Sequence, residues 1–160
     1  MKLVFASNNK HKLEEVRQIL PANVGVISLR EIGFLQEIDE TGTTLEENSA
    51  IKAREVWSWM VDHSILASVD GVFADDTGLE IHALGGAPGV RTARWAGNEA
   101  CDMNNRQKAL HELEGVADRA ARFRTVVSLI INGEMMQVEG IVNGQIALEE
   151  EGNGGFGYDP

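Results

Sequence analysis

Apolar positions along this chain fall into short solid runs and longer runs of helical period. Leu3 to Ala6 is solid and predicts a buried strand. The polar stretch Ser7-Asn8-Asn9-Lys10-His11-Lys12 follows, and then Leu13, Val16 and Leu20 share one face of a predicted helix that stops before Pro21. Val24 to Leu29 predicts a second strand, whereas Ile32 to Ile38 fits neither period. A long helix is expected from about Leu45 to His63. Its start carries two overlapping capping-box patterns, Thr43 with Glu46 and Thr44 with Glu47, and Ala50, Ala53, Trp57 and Met60 should face the core.

The second half begins with Val72 to Ala74, a short apolar run after Gly71 that reads as a strand. Leu79 to Ala83 reads as a further strand, and Leu84 to Gly89 as a tight loop. A helix from about Met103 to Leu113 would bury Met103, Leu110 and Leu113. Asn132-Gly133 between Ala121 to Ile131 and Met135 to Val142 is a strong hairpin signal, and Asn143-Gly144 suggests another turn. Val126 to Ile131 is apolar on both faces, which predicts a central strand. Strands interleaved with helices predict an α/β, mixed α+β, fold.

Composition narrows the partners. The 160 residues are expected to form a single domain over 1–160. Net charge is −11, from 25 acidic and 14 basic residues with no basic stripe, so no nucleic-acid partner is expected. No apolar run approaches the length of a membrane span, and the apolar start is too short for a signal peptide, so a cytoplasmic protein with no membrane partner is expected. The single cysteine, Cys101, fits a reducing compartment and is read as a small half-buried side chain.

The candidate chemistry centres on Asp75-Asp76-Thr77-Gly78. It reads either as a polar turn between two strands or as an acidic pair where a strand leaves the core. Consecutive strand residues point to opposite faces, so both carboxylates enter one pocket only if Thr77-Gly78 turns the chain. A second acidic pair, Asp39-Glu40, precedes Thr41-Gly42. The two clusters could meet on one Mg2+, which takes oxygen ligands and often binds through one or two carboxylates plus phosphates. The loop Ser7 to Lys12 lies between a strand and a helix N-terminus, a geometry that either caps a helix with solvated lysines or holds an anion. Lys52 reads as a surface lysine, and Arg91 and Arg94 as partners for nearby carboxylates more than for phosphate. The terminal stretch Gly152 to Pro160 contains Gly-x-Gly-x-x-Gly, but no helix follows it, which excludes a dinucleotide-binding reading. It is either a loop that closes on a flat base or a disordered tail.

Taken together, several stretches resemble the inosine triphosphate pyrophosphatase family. They are Ser7 to Lys12, Glu40-Thr41-Gly42, Glu47 to Arg54, Ala74 to Leu79, Leu84 to Val90 with Ala93-Arg94, and Gly154 to Pro160, in that order along the chain. The resemblance implies hydrolysis of ITP, dITP and XTP to monophosphate and pyrophosphate. It implies a curved, elongated mixed sheet flanked by helices, two lobes with a cleft between them, and a homodimer. By position, Ser7, Asn8, Asn9, Lys10, His11 and Lys12 would bind the triphosphate, and Lys52 would meet phosphate. Glu40 and Asp76 would hold Mg2+, and Asp76 would be the catalytic base. Thr77 would touch substrate, and Phe156, Gly157, Tyr158 and Asp159 would line the base pocket. Family members continue past this Tyr-Asp-Pro through a lysine and a Ser-His-Arg segment, so a C-terminally truncated chain is expected. Two other readings are a nucleotide-binding module made inactive by that missing segment, and a metal-free hydrolase with two carboxylates.

Overall fold

A computed structural model describes residues 1–97, 101–152 and 154–159. Asn153 and Pro160, both in the glycine-rich terminal stretch, lie outside the described residues. The fold is mixed α/β. Its strands are β1 (Lys2–Phe5), β2 (Gly25–Ser28), β3 (Gly71–Ile81), β4 (Pro88–Gly89), β5 (Ala120–Ile131) and β6 (Glu134–Gln145). The helices are α1 (Lys10–Ile19), α2 (Leu45–Asp62) and α3 (Asp102–Glu112). The sheet has the order β2-β1-β3-β5-β6, with β4 paired to β3. β1 is parallel to β2 and to β3, whereas β4 is antiparallel to β3, so the sheet is mixed.

Two compact units divide the chain: Met1–Asp76 with Val126–Glu139, and Thr77–Thr125 with Gly140–Pro160. In the first unit β1 lies between β2 and β3. The chain leaves β1 through α1 toward β2 and then passes through α2 to β3 on the other side. Open parallel sheets bind ligands at such a reversal, beyond the carboxyl ends of the strands.

The pleat sorts the core of this unit by residue parity. Val4, Ala6, Val72 and Ala74 pack with Ala53, Val56 and Met60 of α2. Leu3, Phe5 and Phe73 pack on the opposite side with Leu13 and Val16 of α1, and the Phe5 and Phe73 rings stack 4.8 Å apart. Full burial of an apolar side chain of this size contributes about 1.5–3 kcal/mol. In the second unit Leu79 and Ile81 of β3 pack against Ala109 and Leu113.

Several expectations are corrected. Thr77-Gly78 makes no turn, and Leu79 does not begin a new strand. β3 runs unbroken for 11 residues, because the pairing and packing of its two ends outweigh a turn-prone composition. Asn143-Gly144 likewise lies inside β6, an edge strand exposed along nearly all its length. Asn132-Gly133 does turn, with φ of 53° and 80°, the two left-handed residues that a two-residue hairpin needs. Of the two capping patterns, Thr44 with Glu47 forms the capping box, and Thr43 adds hydrogen bonds from its backbone N and Oγ1 to Glu47. Met103 is exposed; Asn105 and Ala109 are the buried residues of α3. Cys101 is exposed, not half-buried.

Candidate active site

Parity decides where the two aspartates point. Phe73 faces α1 and Ala74 faces α2, so in an unbroken strand Asp75 must face α1 and Asp76 must face α2. Each meets a lysine from the helix on its side. Lys12 Nζ lies 2.5 Å from Asp75 Oδ2. Lys52 Nζ lies 3.5 Å from Asp76 Oδ1 and 3.4 Å from Glu40 Oε2. Lys52 is therefore not a solvated surface lysine, and the Asp75-Asp76 pair is not a polar turn. All of these residues belong to the first unit.

Short-range contacts fix the α2 side. The Asn48 side chain is buried, and its Oδ1 accepts the Gly42 backbone N–H at 2.8 Å, which ties the segment carrying Glu40 to the first turn of α2. A Cβ on residue 42 would stand 2.6 Å from both Asn48 Oδ1 and Glu47 Cβ, so only glycine allows that approach. The Ser49 hydroxyl bonds to the Ala74 carbonyl at 3.2 Å and to Ser128 Oγ at 2.7 Å. Gln137 then donates to Ser128 Oγ and to the Glu46 carbonyl, both at 2.9 Å. This chain of hydrogen bonds holds α2 against the residue that precedes the acidic pair. The sequence reading missed it. The one visible signal was Ser128 inside an otherwise apolar run.

Burial pushes the Asp76 carboxyl above its usual range. The Lys52 ammonium opposes that rise, and the negative charge of Glu40 adds to it. Asp76 Oδ2 is buried and makes no hydrogen bond with the described residues. Two carboxylates share one ammonium here, and one carboxylate oxygen is unsatisfied. Such a donor set suits a small hard cation, which takes oxygen ligands and completes its shell from elsewhere. No group of three or more His, Cys, Asp or Glu residues placed to hold a metal exists among the described residues, so the protein alone would supply an incomplete shell.

On the other side, Asn9 caps α1, with its Oδ1 accepting the Lys12 N–H at 3.1 Å, and Ser7 Oγ accepts the Asn9 N–H at 3.2 Å. The first turn of α1 carries no acidic residue. Lys10 and Lys12 stand where the helix dipole disfavours positive charge, an arrangement that an anion would relieve. Asn8, Lys10 and His11 are exposed.

The second unit holds the remaining candidates. Thr77 Oγ1 and Thr125 Oγ1 are 2.9 Å apart. Within the terminal stretch, residues 156–159 are docked against α3 and Thr92 and are not a disordered tail. Arg106 donates to the Gly157 carbonyl at 2.8 Å, the Gly157 N–H donates to Asp102 at 3.0 Å, and Tyr158 donates to the Thr92 carbonyl at 2.9 Å. Burial, with the Asp102 charge adding, pushes the Tyr158 phenol up to about 12. Asp159 Oδ2 accepts the Phe156 N–H at 3.0 Å and closes a turn. Tyr158 and Asp159 also line a cavity of about 390 Å³ with Leu79, Arg106, Phe123 and Ile146. Arg91 and Arg94 are exposed and form no ion pair with the described residues, contrary to the pairing expected for them. No described helix is long and apolar enough to cross a membrane.

Known proteins share this fold. The model of the Ham1 family matches residues 3–160. A protein of Christiangramia forsetii named dITP/XTP pyrophosphatase is 44% identical over 160 residues, covering 100% of this chain and 80% of that protein. One of the same name from Bacillus subtilis is 46% identical over 161 residues, covering 98% and 77%. The structure of a HAM1 protein from Coxiella burnetii superimposes with a TM-score of 0.84 at 37% identity, over 100% of this chain and 80% of that one. The Staphylococcus aureus Ham1 protein gives 0.81 at 37% identity, over 100% and 79%. With a family match over nearly its whole length and relatives this similar, the chain belongs to the Ham1 family.

Proposed function

We propose that the chain hydrolyses non-standard purine nucleoside triphosphates, namely dITP, XTP and ITP, to the monophosphate and pyrophosphate, with Mg2+ held by Glu40 and Asp76. The relatives' shared name, dITP/XTP pyrophosphatase, supports the substrate class. The observation that carries the chemistry is Asp76, a largely buried carboxylate raised above its usual range, with a buried, unsatisfied oxygen beside Glu40 and Lys52.

In this reading water attacks the α-phosphorus, the α–β anhydride bond breaks and pyrophosphate leaves. Asp76 takes the proton from water. A raised carboxyl is a better base near neutrality than an ordinary aspartate, so burial supplies part of the activation. The bound Mg2+ would neutralise phosphate charge and make the attacking water more acidic. Lys12, Lys10 and His11, with Ser7, Asn8 and Asn9 at the start of α1, hold the triphosphate, and Lys52 is a further phosphate partner. Thr77 and the stretch Phe156, Gly157, Tyr158 and Asp159 contact the nucleoside. Hypoxanthine and xanthine present a 6-oxo acceptor where adenine presents a 6-amino donor, and donors matched to the first leave buried groups unpaired with the second. The enzyme would work as a homodimer in the cytoplasm.

The test is product release from dITP, ITP, XTP, ATP and GTP, with Mg2+ and with EDTA. Pyrophosphate should appear from the first three only with Mg2+, with kcat/KM for ATP at least about 100-fold lower. Orthophosphate as product, equal use of ATP, or full activity in EDTA would overturn the proposal. Nucleotide binding without any release would favour a binding module instead.

A further inference from the structure

Lys52 stands at a place that its proposed role toward phosphate does not explain. Its Nζ lies between the two carboxylates assigned to the metal, 3.4 Å from Glu40 Oε2 and 3.5 Å from Asp76 Oδ1, and the side chain is only 11% exposed. Neither distance is that of a charge-assisted hydrogen bond, which closes to roughly 2.7–2.9 Å. Lys12 and Asp75, by contrast, are in full contact at 2.5 Å. The ammonium is thus shared between two acids without satisfying either, and Asp76 Oδ2 stays unpartnered. Its stem comes from α2, whose first turn is pinned to Gly42 through Asn48 and to the core strands through Ser49. Glu40, Asp76 and Lys52 therefore belong to one braced assembly.

We propose that Lys52 is a built-in placeholder cation: in the nucleotide-free protein its ammonium occupies the seat between Glu40 and Asp76, and the metal enters only when a triphosphate takes the ammonium away. This rests on the reading that Glu40 and Asp76 are the metal ligands. A divalent ion on both carboxylates would face the ammonium at close range, and like charges repel. A polyphosphate removes the conflict because its oxygens accept Lys52 and fill the metal's remaining positions. Metal and nucleotide then bind with positive coupling, and linkage makes that coupling the same from either side. The arrangement keeps a poorly shielded metal from the site until substrate is present.

The experiment measures Mn2+ affinity by titration calorimetry and by electron paramagnetic resonance, with and without an ITP analogue carrying a methylene bridge between the α and β phosphorus atoms. The intact protein should bind Mn2+ weakly alone and at least about tenfold more tightly with the analogue, the lower end of ordinary coupling between sites. Lys52→Met keeps the stem and loses the charge. It should bind Mn2+ alone about tenfold more tightly than the intact protein and show reduced coupling. Lys52→Arg keeps the charge and should bind free Mn2+ as weakly as the intact protein. If Lys52→Met binds Mn2+ no tighter, while Glu40→Gln abolishes binding with the analogue, the placeholder role fails and the metal-ligand reading survives. If Glu40→Gln leaves analogue-supported Mn2+ binding unchanged, the metal-ligand reading itself fails. Should Lys52→Met not fold, the intact protein decides: equal Mn2+ affinity with and without the analogue overturns the placeholder.

Discussion

The two faces of β3 carry adjacent aspartates, yet they are opposite in electrostatic character. On the α1 face one carboxylate meets one ammonium at 2.5 Å, so the charges balance. On the α2 face two carboxylates share one ammonium at 3.4 and 3.5 Å, so negative charge is in excess. A charge-balanced pair in direct contact is a holding device. An acidic, open cluster is a place that still wants a cation, and its buried acid is raised toward the range of a working base. Neighbours in sequence thus acquire different roles because a pleated strand sends them to different helices.

The largest effect that would separate the faces is loss of chemistry. Asp76→Asn should lower kcat by about 10³-fold, within the range of a lost general base, while nucleotide binding by calorimetry persists. Turnover within about tenfold of the intact protein would remove Asp76 from the base role. The same variant should be more stable at neutral pH. Folded Asp76 keeps its proton to higher pH than the unfolded chain does, because burial raises it. Between those two values the native state binds more protons, so stability falls as pH rises through them, and Asn escapes that loss. A melting-temperature gain of Asp76→Asn over the intact protein that is no larger at pH 7 than at pH 4 would contradict this sign.

A smaller effect is expected on the α1 face. Asp75→Asn should loosen Lys12 and raise KM about tenfold with kcat nearly unchanged, the pattern of an interaction common to ground and transition states. A kcat loss as deep as that of Asp76→Asn would erase the distinction. Smallest is Gly42→Ala, whose new methyl meets Asn48 Oδ1 and Glu47 Cβ at 2.6 Å. It should cost about 1–3 kcal/mol, as overpacking does, and lower the melting temperature by roughly 2–4 °C per kcal/mol. An unchanged melting curve would show that the Glu40 segment is not braced in this way.

Much of this fold is legible in the sequence because local signals and tertiary demands agree. The Leu3 to Ala6 run, the Thr44 and Glu47 cap and the Asn132-Gly133 turn each specify an element almost unaided. Legibility fails where composition and context disagree. Asp75-Asp76-Thr77-Gly78 and Asn143-Gly144 have the makeup of turns, yet both lie inside long strands, since pairing and packing decide strand continuity. The candidate residues could be named by position, but their partners could not. Nothing in the spacing of Lys12, Lys52 and Glu40 says which aspartate each meets. Only an unbroken β3, with Phe73 and Ala74 fixing the parity, assigns Asp75 to Lys12 and Asp76 to Lys52 and Glu40.

The central claim is that the α2 face alone holds the cation. Its most direct test is a Mn2+ titration of Asp75→Asn and Asp76→Asn, side by side, with a nucleotide analogue that cannot be cleaved. The account predicts at least about tenfold weaker Mn2+ binding for Asp76→Asn, as for loss of a carboxylate ligand, and intact affinity for Asp75→Asn. Equal weakening in both variants, or weakening confined to Asp75→Asn, would contradict it.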